Sequence, residues 1–412
     1  MGDAAGVLGF AEALGVVLGQ AAGVLVAGVE SVELLRSVGR VLAEEVAADR
    51  DQPPFDRATR DGFAVRAEEW VGGRRMRVVG QVRAGEAWVG GEMPVGAAIE
   101  IMTGAPVPAG ADAVAMVEHV ETAGDEVWAA AGRSLRVGEN IVLRGSEARQ
   151  GDVVLAAGTE IGAAEIAVAA ACGRGELLVR KRLMVAIVAT GDELVELDEV
   201  PDEQQIRNSN SYALAALVEA AGGQAERLEI ARDTLEDVRA RIGEGRGCGL
   251  LLLSGGVSAG KYDLVEEVLA EFGAEFFFTG VRMQPGKPVV FGRLPGRDGD
   301  RECYFFGLPG NPVSTQVTFH CFVEPMLRAM CGAGVVGPRF VQATLAEDMK
   351  GNVGLTRLLP ARLRSDLERP EVRLVGWQGS GDLAANARAN CYAVLPDGRD
   401  LVAGDVITVL LR

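Results

Sequence analysis

A chain of 412 residues that is 48% apolar and 24% charged has the content for about two to four packed domains and excludes a disordered chain. Its formal net charge of −17 excludes a broad nucleic-acid-binding face, because phosphate backbones demand a surplus of Lys and Arg, yet it leaves room for a small anion in a local basic pocket. Only two histidines are present, His119 among carboxylates and His320 in an apolar helical pattern. The six cysteines show no C-x-x-C spacing, so buried reduced thiols are expected, and acid–base work falls to Asp, Glu and Lys.

In chain order, the Gly- and Ala-rich opening has no Lys or Arg before Arg36 and carries Glu12 in its apolar part, which is not the pattern of a secretory signal. No run reaches the roughly 18 apolar residues that span a bilayer, so a cytoplasmic protein without membrane contact is expected. Residues 31–47 place apolar side chains at helical spacing and predict a helix. "DQPPFDRATRDGFAV" is a turn-rich, extended stretch. From Arg74 to about Glu160 short alternating runs such as "MRVVGQV" predict a β-rich module, and residues 161–176 predict a helix. One module inserted into another fits this order.

From Leu183 the texture changes. "LMVAIVA" suits a strand buried on both faces. A helix at about 210–221, the strand "AERLEI", a helix at 235–243, the strand "LLLLS", a helix from Asp263, the strands "EFFFTGV" and "CYFFG", and a helix from Pro312 follow. The expected fold is α/β multidomain. A three-layer α/β/α domain with a mostly parallel sheet occupies residues 182–331. It follows an N-terminal region, 8–181, with a β-rich module inserted at about 54–140, and precedes a small β domain at 338–412.

"SGGVSAGKYD" contains Gly255, Gly260 and Lys261 in the G-x-x-x-x-G-K spacing of a phosphate loop, but Tyr262 stands where a metal-holding Ser or Thr belongs. The match also follows a later strand of the domain rather than the first. A nucleotide triphosphatase is therefore disfavoured, although backbone N–H groups ahead of a helix still make an anion-binding concavity. Asp263 beside an anion asks for a bridging cation: two like charges about 4 Å apart at an effective dielectric near 20 repel by roughly 4 kcal/mol. Related chemistry recurs at the other strand ends. Asp192 and Glu193 follow the first strand, Asp233 follows the second with Thr234 as a helix cap, and "GLPGNPVS" offers Asn311 as N-cap, Pro312 as first helical residue, and free N–H groups with Ser314 as a further anion site. Lys287 lies on the rigid "PGKP" loop. The topology of such a sheet gathers these groups at one edge.

The motifs "PPFDRATRDGFAV", "IEIMTGAPVPAGADAV", "GENIVLRGSEARQGD", "ATGDEL", "LSGGVSAGKYD", "QPGKP", "LPGNPVS" and "GSGDLAANARAN" occur in this order, and over residues 8–412 the chain resembles the molybdopterin molybdenumtransferases, the MoeA family, whose eukaryotic relatives include the gephyrin E domain. The resemblance implies a homodimer of four-domain subunits with a shared active-site cleft and a central molybdopterin-binding domain. It implies cleavage of adenylylated molybdopterin with release of AMP and insertion of molybdate at the dithiolene, with Mg²⁺. It places catalysis on Asp61, Thr103, Glu193, Asp233 and Asp263, with Glu147 a lesser candidate and Glu193 and Asp263 as metal ligands. The substrate contacts it implies are Gly255, Gly256, Ser258, Lys261 and Asn311, with Lys287, Ser314, Arg357 and Ser380 around molybdate. The adenylyltransferase of the preceding step is an implied partner. Ala58 and Phe63 replace a serine and a tyrosine of the family pattern, and Gln284 stands where some members have a second lysine. Alternative functions are the adenylyltransferase activity itself, against which the large flanking modules argue, and a molybdopterin-binding scaffold without turnover, against which the intact acid set argues.

Overall fold

The computed structural model describes residues 6–24, 26–256, 264–296, 301–365, 367 and 369–412. Its centre is a six-stranded sheet in which Gln224–Arg227, Met184–Ala189, Leu250–Ser254 and Cys303–Leu308 run parallel, followed by Val290–Leu294 and Glu275–Phe278 as antiparallel neighbours. The period of two along each strand divides the apolar runs between two cores. Val185, Ile187, Leu250, Leu252 and Phe306 face one, while Ala186, Val188, Leu251, Leu253 and Phe305 face the other. Both sets are buried, and each large side chain removed from water contributes about 1.5–3 kcal/mol. Leu235–Gly245 and Leu264–Glu271 cover the second core, and Ser209–Ala220 with the helical run from Pro312 to Met330 covers the first. That run is interrupted by a π-helical turn at Phe319–Val323.

Two expectations for single elements are corrected. Residues 31–47 do not form one helix. Val29–Glu33 is a strand paired antiparallel with Glu176–Arg180, a 3₁₀ turn follows at Leu34–Ser37, and Gly39 turns the chain at φ +74°. Pairing across the ladder overrides the helical spacing, as β-branched Val29 and Val32 favour. A helix forms instead at Phe10–Ala21, inside the Gly-rich opening, because Ala13, Val17 and Ala21 recur every four residues and pack fully into the core. "EFFFTGV" is two strands. Glu275–Phe278 belongs to the central sheet, and Gly280–Gln284 crosses into a different one.

That second sheet joins Val7–Gly9 and Gly280–Gln284 to the C-terminal strands Thr356–Arg364, Glu371–Leu374, Phe340–Leu345, Val406–Leu411 and Cys391–Leu395. Cys391–Leu395 pairs back onto Thr356–Arg364, so the five C-terminal strands close on themselves and leave no free edge among them. Near the N-terminus a further six-stranded sheet contains Gly62–Val65, Met76–Val82, Ala97–Ile101, Ala113–Met116, Val120–Ala123 and Glu126–Ala129. In sequence it lies between the partners of two ladders, Val29–Glu33 with Glu176–Arg180 and Val46–Ala47 with Val153–Leu155. Among the described residues no helix is long and apolar enough to cross a membrane.

Candidate functional site

The parallel strands end together. Met184–Ala189 leads into Thr190, Gly191, Asp192 and Glu193, and the Thr190 N–H donates to the Ser254 carbonyl at 3.0 Å. Glu193 is exposed while its backbone carbonyl accepts from Ile206 N–H at 2.8 Å, so a fixed backbone carries a carboxylate without an ion-pair partner among the described residues. Asp192 Oδ1 accepts from the Asp233 N–H at 3.2 Å, which ties the first and second loops together. The Arg232 guanidinium donates to the backbone carbonyls of Asp192 (3.4 Å) and Leu194 (3.2 Å), and among the described residues it forms no ion pair with Asp192, Glu193 or Asp233. Thr234 caps its helix as expected, accepting from Asp237 N–H at 3.2 Å.

The third loop opens with Gly255 (φ +95°) and Gly256 (φ +65°). A Cβ at Gly255 would lie 2.6 Å from the Thr190 carbonyl oxygen, and one at Gly256 would lie 2.7 Å from the Thr190 hydroxyl, so only glycine fits this approach. Ser258, Lys261, Tyr262 and Asp263 lie outside the described residues. The fourth loop brings Pro309, Gly310 and Asn311. Asn210 Nδ2 staples it to the third strand by donating to Ser254 Oγ (3.0 Å) and the Gly310 carbonyl (2.7 Å). Together these ends line a cleft of about 1150 Å³, closed on one side by Gly381 and Leu383 of the C-terminal module. This exceeds the usual volume of a site for one small organic molecule and suits a larger, two-part ligand. Among the described residues, Glu193, Asp233, Gly255, Gly256 and Asn311 all reach it.

The expected oxyanion groups sit beside the cleft rather than in its lining. Lys287 is exposed, unpaired with any carboxylate among the described residues, and directly precedes Pro288 of the cleft wall. Ser314 is buried in the first helical turn, and Asn311 occupies the N-cap position without a side-chain cap bond. One correction applies to the free N–H groups expected there: Val313 N–H already donates to the Ser380 carbonyl at 2.9 Å. That bond docks the Ser380 turn onto the helix start. Arg357 is the register partner of Gln284, its Nη1 donates to the Lys350 carbonyl at 3.4 Å, and its Nε is buried without an acceptor among the described residues. Gln284 is thus the strand neighbour of an arginine, where a second lysine would add a like charge.

Asp61 and Thr103 form a separate constellation. Asp61 Oδ1 accepts from the Thr103 N–H (2.6 Å) and hydroxyl (2.8 Å), and both residues are exposed. The N–H first and the hydroxyl second hold the Asp61 carboxyl below the usual aspartate range. The "TGAP" turn is pinned from below by Ala58, which exchanges backbone bonds with Gly104 (2.8 Å) and Ala105 (3.0 Å) and is itself buried. Gly62 is obligatory, since a Cβ there would overlap the Ala115 carbonyl oxygen of the neighbouring strand. Buried Phe63 needs no hydroxyl partner, in keeping with its replacement of tyrosine. Glu147 pairs with Arg57 at 3.3 Å. None of Asp61, Thr103 or Glu147 lines the strand-end cleft of this chain.

Sequence reasoning missed Thr190 and Asn210. Thr190 stood inside the quoted "ATGDEL" and Asn210 inside an ordinary helix start, and only the folded contacts single them out. For a divalent cation the donors available are the carboxylates of Glu193 and Asp233, both exposed and outside any ion pair among the described residues. No group of three metal-ligating side chains occurs there. An oxygen-only pair beside the Gly255–Gly256 turn fits Mg²⁺, which keeps waters and takes one or two carboxylates together with substrate phosphates.

The family models described as MoeA N-terminal region (domain I and II), probable molybdopterin binding domain, and MoeA C-terminal region (domain IV) match residues 8–173, 186–329 and 342–411. A molybdopterin molybdenumtransferase of Staphylococcus aureus (strain COL) is 35% identical over 390 residues, covering 92% of this chain and 90% of the relative. One of Staphylococcus epidermidis (strain ATCC 12228) is 33% identical over 393 residues, with the same coverage of 92% and 90%. The crystal structure of the molybdopterin biosynthesis MoeA protein of Pyrococcus horikoshii OT3 superposes with a TM-score of 0.79 at 29% identity, covering 98% of this chain and all of that one (100%). The chain therefore belongs to the molybdopterin molybdenumtransferase (MoeA) family.

Proposed function

We propose that this transferase cleaves adenylylated molybdopterin, releases AMP and inserts molybdate at the dithiolene in a Mg²⁺-assisted reaction in the cytoplasm. The observation that carries the reading is the strand-end cleft, where the exposed carboxylates of Glu193 and Asp233 share a wall with the side-chain-free turn Gly255–Gly256. The turn seats the anionic linkage against backbone. Glu193 and Asp233, with Asp263, hold the cation, which would neutralise charge on the phosphoryl oxygens when bound. Lys287, Arg357, Ser314 and Ser380 take the oxyanion of molybdate at the adjoining edge, Lys287 and Arg357 by charge and the serines by hydrogen bonds. Ser258, Lys261 and Asn311 add substrate contacts. Closing the cleft against water falls to Asp61 and Thr103 of a second copy in a homodimer, because this chain's own pair stands away from its own cleft. The adenylyltransferase that makes the substrate is the partner this scheme requires. The test is incubation with adenylylated molybdopterin, Mg²⁺ and molybdate, following AMP. Release that requires all three supports the reading, and an intact substrate after incubation refutes it.

A further inference from the structure

Thr190 carries a buried polar group that the fold does not use. The residue is only 4% exposed and lines the cleft, yet its hydroxyl oxygen has no hydrogen-bond partner among the described residues. Asn210, on the same cleft, is committed, since its Nδ2 donates to Ser254 Oγ and the Gly310 carbonyl. The Thr190 backbone is also fixed: its N–H is bonded to Ser254, and the chain beside it bridges to Ala231. A buried hydroxyl without a partner is a standing cost to stability, and valine would fill the same β-branched shape without it. Among the described residues no contact asks for the threonine hydroxyl at this position.

The covering layer points to what does. Over the hydroxyl lie Gly255 and Gly256, whose missing Cβ atoms would stand 3.1 and 2.7 Å from Oγ1. Both are held at positive φ, and the Gly256 N–H has no acceptor among the described residues, whereas the Gly255 N–H donates to the Leu308 carbonyl at 3.2 Å. Thr190, Gly255 and Gly256 line the same cleft, so a phosphoryl group seated on this turn has only side-chain-free backbone between it and the hydroxyl. We infer that Thr190 is a substrate-binding residue whose hydroxyl donates to a phosphoryl oxygen of the bound adenylylated substrate. This rests on the proposed reaction for the identity of the substrate, while the geometry itself asks only for a phosphoryl oxygen.

The test compares Thr190→Val and Thr190→Ser with the wild type. Free Thr190→Val protein should unfold at the same temperature as the wild type or a few degrees higher, since an unsatisfied hydroxyl has been removed. AMP, used as the phosphoryl probe, should raise the melting temperature of the wild type and of Thr190→Ser but not of Thr190→Val. In turnover, Thr190→Val should raise KM for the adenylylated pterin by about tenfold or more, the loss expected for a hydrogen bond to a charged acceptor. Thr190→Ser should stay near wild type. Unchanged KM in Thr190→Val, or no stabilisation of the wild type by AMP, would overturn the inference. So would a lower melting temperature of the free valine variant, which would make the hydroxyl structural. A wild type that is stabilised by AMP yet leaves the adenylylated pterin intact would sink the proposed reaction while leaving the phosphoryl contact standing.

Discussion

Two acidic residues show how differently the same side-chain type is employed. Asp61 is held by two donors of Thr103, and its ionised form is the one those bonds favour. Thr103→Val deletes the hydroxyl bond and keeps the N–H bond, so the Asp61 pKa should rise part of the way toward the ordinary aspartate value. Carboxyl-carbon NMR titration reads that shift directly, and an unmoved Asp61 would show that the hydroxyl contributes nothing. Glu193 is the opposite case, a carboxylate left exposed on a pinned backbone. Glu193→Gln should change stability by less than about 0.5 kcal/mol while AMP release falls on the order of a hundredfold. Thermal melts run beside the turnover assay separate the two effects. Glu193 and Asp233 were legible in the sequence because each follows an apolar run that can only be a buried strand, and strand ends in such sheets gather ligands. Thr190 was not legible, because a missing partner is a property of the folded neighbourhood and leaves no trace in "ATGDEL".

Elements were legible where their periodicity agreed with their final contacts. The runs "LMVAIVA" and "LLLLS" are apolar at every position but the closing Ser254 because both faces of those strands are buried, in two different cores. Residues 31–47 misled because their helical spacing lost to a ladder partner almost 150 residues away, Glu176–Arg180, which local spacing cannot announce. "EFFFTGV" read as one strand because nothing in its composition marks the crossing after Phe278 into the sheet shared with Val7–Gly9. The helical run that begins at Pro312 carries a part-buried pair, His320 Nδ1 and Glu324 Oε2 at 2.8 Å, with Arg339 3.8 Å from the same carboxyl. Burial pushes the Glu324 pKa up, but the His320 hydrogen bond and the charges of His320, Arg339 and Arg328 outweigh it and hold the carboxyl below the usual glutamate range. A depressed folded value stabilises the fold above the unfolded value and is lost as pH falls through the folded one. Glu324→Gln should therefore be least stable relative to wild type near neutral pH, with the gap closing below about pH 4. Melting temperatures across that range check it, and a gap that widens on acidification would contradict the assignment.

At the scale of the whole molecule, the acids that the family resemblance groups into one site fall in two places. Glu193 and Asp233 line the strand-end cleft, and Asp61 with Thr103 stands on the N-terminal sheet outside it. If a second copy completes each cleft, inactive Asp61→Asn and inactive Glu193→Gln proteins should rescue one another after subunit exchange. Half of a randomised population is mixed dimer with one wholly wild-type cleft in two, so roughly a quarter of full activity should return in a C₂ assembly. Verified exchange without recovery would confine the site to one chain. The central claim is more basic, that the near phosphate loop at Gly255 serves an adenylylated pterin and not a nucleoside triphosphate. Side-by-side incubation of the purified protein with adenylylated molybdopterin and with ATP, each with Mg²⁺ and molybdate, measures that choice by AMP release from the first and phosphate release from the second. The account predicts molybdate-dependent AMP release from the pterin and no enzyme-like turnover of ATP; turnover of ATP with the adenylylated pterin left intact would contradict it.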